Sequence, residues 1–212
     1  MKKESVPLKN VLLKTLGEVK SARYLKGLDF VYIDSSDIYQ GALSSLLNGN
    51  TEKTIKCIIF GLDLDRENLS ILHLARTMLF SLSEDFHDGK GDIYRQKYNN
   101  DLNKGLEQLS EKFKKCKKSL EELDEKIELK SKEIEIAKKN FFTYFFKRTR
   151  LNSELNSLEA QRVNIMSEIG LIEQEIEDIS NLVKIEDYIK ILSLILEVCI
   201  FPSRFSWALS KS

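Results

Sequence analysis

Apolar residues recur at alternating spacings of four and three between Leu102 and Val183. This spacing is the a/d repeat of a coiled coil, in which each helix buries one apolar seam. The first series comprises Leu102, Leu106, Leu109, Phe113, Cys116, Leu120, Leu123, Ile127, Lys130, Ile134, Ala137 and Phe141. The second comprises Leu151, Leu155, Leu158, Arg162, Ile165, Ile169, Ile172, Ile176, Ile179 and Val183. Such a pattern predicts two long helices that pair along their seams.

The composition agrees with long solvated helices. Charged residues make up 31% of the chain and only two prolines occur, neither of them between residues 98 and 186. A high charge with little proline is typical of helices whose outer faces are in water. Only Lys130, Arg148 and Arg162 interrupt the repeat with charge.

The charges of the two series predict antiparallel pairing. Residues 151–187 hold nine acidic residues and only Arg162 and Lys184 as basic ones, whereas residues 101–150 have an excess of basic residues. A parallel dimer would place the lysine cluster at 112–118 against its own copy, which is unfavourable. If the chain folds back near Phe145, this cluster (Lys112, Lys114, Lys115, Lys117 and Lys118) is expected opposite Glu173, Glu175, Glu177 and Asp178.

Two arrangements satisfy antiparallel pairing. One is a hairpin within a single chain, with its tip near residues 140–149 and arms about 55–60 Å long. The other is a homodimer of uninterrupted helices that cross at the same point. We expect the hairpin, because pairing within one chain avoids the entropy cost of association.

The predicted fold is mainly α, with a small helical head and a long antiparallel coiled-coil hairpin. We expect a mostly helical head region at residues 1–97, the hairpin at 98–186, and an apolar C-terminal helix at 187–212 that packs on the head. Two apolar runs, at residues 28–34 and 56–62, read equally well as strands or helices. Asp65 is expected to cap a helix from Arg66 to about Leu82.

Residues 141–146 contain five aromatic side chains and are flanked by basic residues. One seam cannot bury them all, so several are expected to be exposed, and exposed apolar clusters mark interaction sites. The predicted partner-binding residues are Phe141, Phe142, Tyr144, Phe145, Phe146, Lys147 and Arg148. These residues could bind a protein partner or an anionic membrane surface. In the third alternative no partner is involved, and the aromatic side chains pack on one another.

Four aspartates follow the two apolar runs, at Asp34, Asp37, Asp63 and Asp65. Carboxylates at the ends of neighbouring strands can bind a divalent metal for phosphodiester cleavage, which makes a metal-dependent nuclease one alternative. Acids in such positions more often cap helices and form turns. The chain has neither a phosphate-binding glycine loop nor a nucleophile motif. We therefore expect no enzyme activity, no cofactor and no metal.

The three cysteines are widely spaced and no secretory signal precedes residue 20, which favours a cytoplasmic protein. The apolar run from Ile191 to Phe201 is too short to span a bilayer, so membrane contact would be peripheral. The lysine cluster at 112–118 has an acidic arm to neutralise it, which argues against nucleic acid. The predicted function is a non-catalytic coiled-coil scaffold subunit of a larger protein complex, docking through the aromatic tip and the head.

Overall fold

The protein is described by a computed structural model that covers residues 8–16, 35–139 and 141–201. Of these residues 91% are helical, and no strand occurs among them, so the mainly-α prediction is confirmed. The helices are α1 (Leu8–Leu16), α2 (Ser35–Leu47), α3 (Thr51–Leu64), α4 (Leu69–Asp88), α5 (Gly91–Lys97), α6 (Leu102–Lys138) and α7 (Phe141–Ile200). The run at 56–62 is therefore helical, while the run at 28–34 lies outside the described residues.

The chain divides into two compact units. One, here called the bundle unit, comprises residues 1–90 and 184–212, and the other, the hairpin unit, comprises residues 91–183. Helix α7 contributes to both units without a break. The predicted domain limits at 97/98 and 186/187 stay predictions, since compactness alone does not test them.

The bundle unit has a single apolar core. The turn from α2 to α3 is made at Asn48–Gly49, where Gly49 has a φ of 70°. The Asn50 side chain then caps α3 by accepting a hydrogen bond from the Lys53 amide at 3.0 Å. The fully buried core residues include Leu8, Val11, Ile38, Ile55, Ile58, Ile59, Leu62, Ile71, Ala75, Leu192, Ile195 and Val198.

Helices α2 and α4 approach α3 closely at Gly61. A Cβ atom added there would collide with the Ile71 side chain and lie 3.1 Å from Cγ2 of Ile38. A larger residue at Gly61 would therefore need the end of the Ile71 side chain to shift within a core that leaves few voids.

The prediction for α4 was wrong in its start. Asn68, not Asp65, caps the helix, since its side chain accepts from the Ile71 amide at 3.1 Å. Asp65 instead accepts from the Glu67 amide at 3.2 Å in the preceding turn. With this start, Leu69 is 80% exposed, and the buried side chains are Ile71, Leu74, Ala75, Met78, Leu82 and Phe86.

The C-terminal apolar segment is the last part of α7 rather than a separate helix. Its side chains at Ile191, Leu192, Leu194, Ile195 and Val198 belong to the same core as those of α1 to α4. Residues 202–212 lie outside the described residues.

In the hairpin unit, α6 and residues 141–183 of α7 pair along the predicted seam. Every predicted seam position from Leu102 to Ala137 and from Leu151 to Val183 is buried or half-buried. The ion pairs between the arms show that the arms are antiparallel. Residues with higher numbers in α6 pair with residues that have lower numbers in α7. Lys112 pairs with Glu168 at 2.8 Å, Asp124 with Arg162 at 2.6 Å, and Lys130 with Glu154 at 2.7 Å. The antiparallel hairpin is therefore formed within one chain.

Lys112 pairs with Glu168 at 2.8 Å and is also attracted by Glu175, one of the four acids predicted opposite the lysine cluster. The chain reverses between Lys138 and Phe141, before the predicted point near Phe145. Among the described residues, Lys114 and Lys115 have no ion-pair partner, and Lys117 lies 4.5 Å from the centre of the Phe113 ring.

A clasp of polar side chains joins α5 and the turn after it to α7. Tyr98 is 8% exposed, and its hydroxyl donates to Oε1 of Glu175 at 2.7 Å. Lys97 donates to the same oxygen, and the Tyr94 hydroxyl donates to Oδ2 of Asp178 at 3.3 Å. Burial and the hydrogen bond to Glu175 raise the pKa of Tyr98. Burial opposes ionisation of Glu175, but the bonds from Lys97 and Tyr98 outweigh it and lower its pKa.

The Tyr98 ring rests directly on Gly105 of α6. A Cβ atom added at Gly105 would lie 2.6 Å from Cγ of that ring, which is part of the clasp and cannot swing away freely. We expect Gly105→Ala to lower the stability of the hairpin unit by about 1–3 kcal/mol through overpacking. The midpoint of urea unfolding, followed by circular dichroism, measures this effect.

Gly170→Ala is the matched control, because nothing lies within 4 Å of a Cβ atom at Gly170. Replacing this helical glycine with alanine is expected to stabilise α7 by up to about 1 kcal/mol. If both variants unfold at the same urea concentration, the close packing of Tyr98 on Gly105 is contradicted.

Candidate interaction surface at the hairpin tip

The chain reverses between the end of α6 at Lys138 and the start of α7 at Phe141. Helix α6 ends at Lys138, and the Lys139 amide donates to the Ile136 carbonyl at 3.2 Å. Asn140 lies outside the described residues, and α7 begins at Phe141. The aromatic residues predicted at the tip are therefore not in a loop but in the first turns of a helix.

Three phenylalanine side chains at this end of the hairpin are largely in solvent. Phe142 is 75% exposed, Phe145 69% and Phe146 80%. The Phe145 and Phe146 rings meet edge to face, with centroids 5.7 Å apart. These three residues are called the Phe tip below.

Heptad position explains which aromatic residues are exposed. Tyr144 and Arg148 continue the seam backwards from Leu151, and Tyr144 is half-buried. Phe142, Phe145 and Phe146 are spaced i, i+3 and i+4, so they share a face of α7 that is turned away from the seam. The Phe141 side chain lies outside the described residues.

Basic residues surround the Phe tip. Lys138, Lys139, Lys147 and Arg148 are exposed, and within the described part of the chain none of them forms an ion pair. These four residues are called the tip cations. The sequence contains no acidic residue between Glu135 and Glu154. The tip therefore combines an apolar face with an uncompensated positive charge.

An ion-pair cluster holds the two arms together next to the tip. Lys130, at a seam position, donates to Glu154 and Glu133 at 2.7 Å each. Arg150 donates to Glu154 from the other side at 2.8 Å. These hydrogen bonds lower the pKa of Glu154 to about 2. They also raise the pKa of Lys130.

The described aspartates considered for metal binding, Asp37, Asp63 and Asp65, are not brought together as a site. Asp63 accepts a hydrogen bond from the Leu8 amide, and Asp65 accepts from the Glu67 amide. Asp37 lies in the first turn of α2, and Asp34 is outside the described residues. Across residues 8–16, 35–139 and 141–201, no group of three or more His, Cys, Asp or Glu side chains is placed to hold a metal ion.

Sequence reasoning missed the clasp of Tyr94, Lys97 and Tyr98 with α7. Residues 94–98 lay at the end of the predicted head region, and no heptad pattern links them to Glu175. The five-residue segment contains two tyrosines and a lysine. Without the register of the hairpin, this composition is only a weak indication that the segment contacts α7.

No protein-family model, curated protein or solved structure matches this chain. None of the helices in the described ranges is both long enough and apolar enough to cross a lipid bilayer.

The titration of Glu154 tests the ion-pair cluster. Its pKa of about 2 lies below the ordinary value of 4.5, so the ion-pair cluster makes its full contribution to the stability of the fold above pH 4.5. Its contribution is lost as the pH falls towards 2, when Glu154 takes up a proton. We expect the carboxyl carbon shift of Glu154 in an NMR pH series to have a midpoint well below 4.5.

Lys130→Gln should move this midpoint upwards, because it removes one of the two hydrogen bonds. Lys132→Gln is the control, since Lys132 pairs with Glu128 on its own helix. A midpoint near 4.5 in the unsubstituted protein would show that the cluster does not form in solution.

Proposed function

We propose that this protein is a non-catalytic coiled-coil scaffold subunit of a larger protein assembly, which docks through the hairpin tip and the bundle unit. The exposure of Phe142, Phe145 and Phe146, between 69% and 80% each, is the observation that carries the proposal. Large exposed apolar clusters on soluble chains usually mark interaction sites.

The rest of the hairpin argues that this exposure is specific to the tip. Along both arms the seam positions are buried or half-buried, and charged residues cover much of the outer faces. The outer faces of the arms also have exposed aliphatic residues, such as Leu129, Val163 and Leu171. These residues are not grouped with exposed aromatic residues. Within the described ranges, only the tip has three exposed phenylalanines on one helix face, and two of their rings, Phe145 and Phe146, are in contact.

The bundle unit offers a second surface. Leu69 is 80% exposed and Phe80 67%, about three turns apart on α4. Both residues lie on the side of α4 opposite the core residues Ile71 and Met78. Two separate docking surfaces are what a subunit needs in order to bridge two partners.

The non-catalytic part of the proposal is supported by the roles of the aspartates. Asp63 binds the amide at the start of α1, and Asp65 forms the turn before α4. None of the three cysteines, Cys57, Cys116 and Cys199, forms a disulfide, which agrees with the reducing environment of the cytoplasm that we propose as the location.

Sedimentation of a detergent-free lysate from the source cells tests the proposal. The full chain, carrying an affinity tag, is expected to sediment with a larger assembly. The Phe142→Asp/Phe145→Asp variant is expected to lose its tip partner and sediment more slowly, because two charged side chains cannot occupy an apolar contact. Some proteins are expected to co-purify in fixed ratio with the unsubstituted chain. The Leu69→Asp/Phe80→Asp variant is expected to co-purify without them.

Val163→Asp/Leu171→Asp is the matched control. These residues are 63% and 70% exposed on the same hairpin but lie outside the tip. The control should sediment like the unsubstituted chain. If the unsubstituted chain sediments alone, or if the control and tip variants behave alike, the proposed function is wrong.

A further inference from the structure

We infer that the surface on which the tip docks is an anionic lipid bilayer, with the Phe tip inserted at the headgroup level and the tip cations at the phosphates. This rests on the proposed function in one respect, because it takes the tip to be a docking surface. It adds the chemistry of the partner.

The three rings have the arrangement of a shallow membrane anchor. They share one face of the first turns of α7, and residues 141–146 extend over about 9 Å of helix. Interfacial helices bury an apolar face about 5–10 Å deep, at the boundary of headgroups and acyl chains. Phenylalanine has no polar side-chain atom, so its burial there needs no hydrogen-bond partner.

The charge of the tip is complementary to anionic headgroups. Lys138 and Lys139 precede the rings in the chain, at the end of α6, and Lys147 and Arg148 follow them on α7. By contrast, Lys112, Lys130 and Arg162 are paired with acidic residues of the opposite arm. The hairpin thus leaves cations unpaired beside the exposed rings, where a negative lipid surface would attract each of them.

A bilayer fits this surface better than an acidic protein groove. The tip cations come from both arms of the hairpin and flank the rings in the chain, so a protein partner would have to offer carboxylates to two chain segments beside one apolar pocket. A lipid surface offers anions in every direction in its plane. Long lysine and arginine side chains reach the headgroup level while the rings lie deeper.

Flotation with lipid vesicles tests the inference on the purified full chain. Vesicles of phosphatidylcholine containing about 30% phosphatidylserine should bind the protein, because their surface potential is negative. Pure phosphatidylcholine vesicles should bind it much more weakly. Raising the salt concentration should weaken binding to the anionic vesicles, since exposed charges are screened.

Substitutions separate the two contributions. Phe142→Asp/Phe145→Asp should lower vesicle affinity by about a hundredfold or more, since each removes an inserted ring. Lys147→Gln/Arg148→Gln should lower it by about twenty-fivefold, at about fivefold for each charge near an anionic surface. All four positions are exposed, and the helix content from circular dichroism checks that these variants fold.

Two controls exclude general adsorption. Val163→Asp/Leu171→Asp introduces the same charges on exposed apolar residues away from the tip. Lys114→Gln/Lys115→Gln removes two exposed lysines that have no ion-pair partner among the described residues. Both controls should bind anionic vesicles within about fivefold of the unsubstituted chain.

The inference is overturned if the unsubstituted chain does not float with anionic vesicles, or if either control loses as much affinity as the tip variants. It would fail alone, with the proposed function intact, if the tip variant lost its assembly in the lysate while vesicles were not bound. A third outcome is that the chain sediments alone from the lysate but binds vesicles through the tip. This outcome would refute the proposed assembly and support the lipid contact.

Discussion

The buried seam between α6 and α7 is the contact on which the rest of the hairpin unit depends. Away from the seam α6 is mostly charged, so it has no other extended apolar face to bury. Its stability therefore comes from side chains such as Leu109, Leu123 and Ile134 packing between the arms. The charged residues within the seam do not break it, because Lys130 and Arg162 each reach an acidic partner on the other arm.

The position of the chain reversal decides what the tip presents. Since the chain turns between Lys138 and Phe141, residues 141–146 are helical, and the exposure of Phe142, Phe145 and Phe146 agrees with their heptad positions. Tyr144 falls on the seam, while Phe142 and Phe145 fall on the outer face. The same reversal sets the register, which gives Lys112 a partner at Glu168 and leaves its neighbouring lysines in water.

Much of the hairpin was predictable, because a heptad repeat is a local property that one neighbouring helix is enough to satisfy. The buried positions follow from the repeat, and the antiparallel direction follows from the opposite charges of the two series. The exact register did not follow, since moving the turn by a few residues keeps a seam apolar while changing every charge pair. The clasp of Tyr98 on Glu175 depends on that register and was missed for this reason.

In the bundle unit the sequence by itself predicted mostly helical structure, but it left the run at 56–62 open between strand and helix. It also did not determine where α4 begins, because Asp65 and Asn68 are both good caps. In the tertiary structure α4 begins after Asn68, and Ile71 packs beside Gly61 in the core. The heptad spacing can be read directly from the sequence. Caps, registers and exposed faces each have nearly equal local alternatives, and long-range packing decides between them.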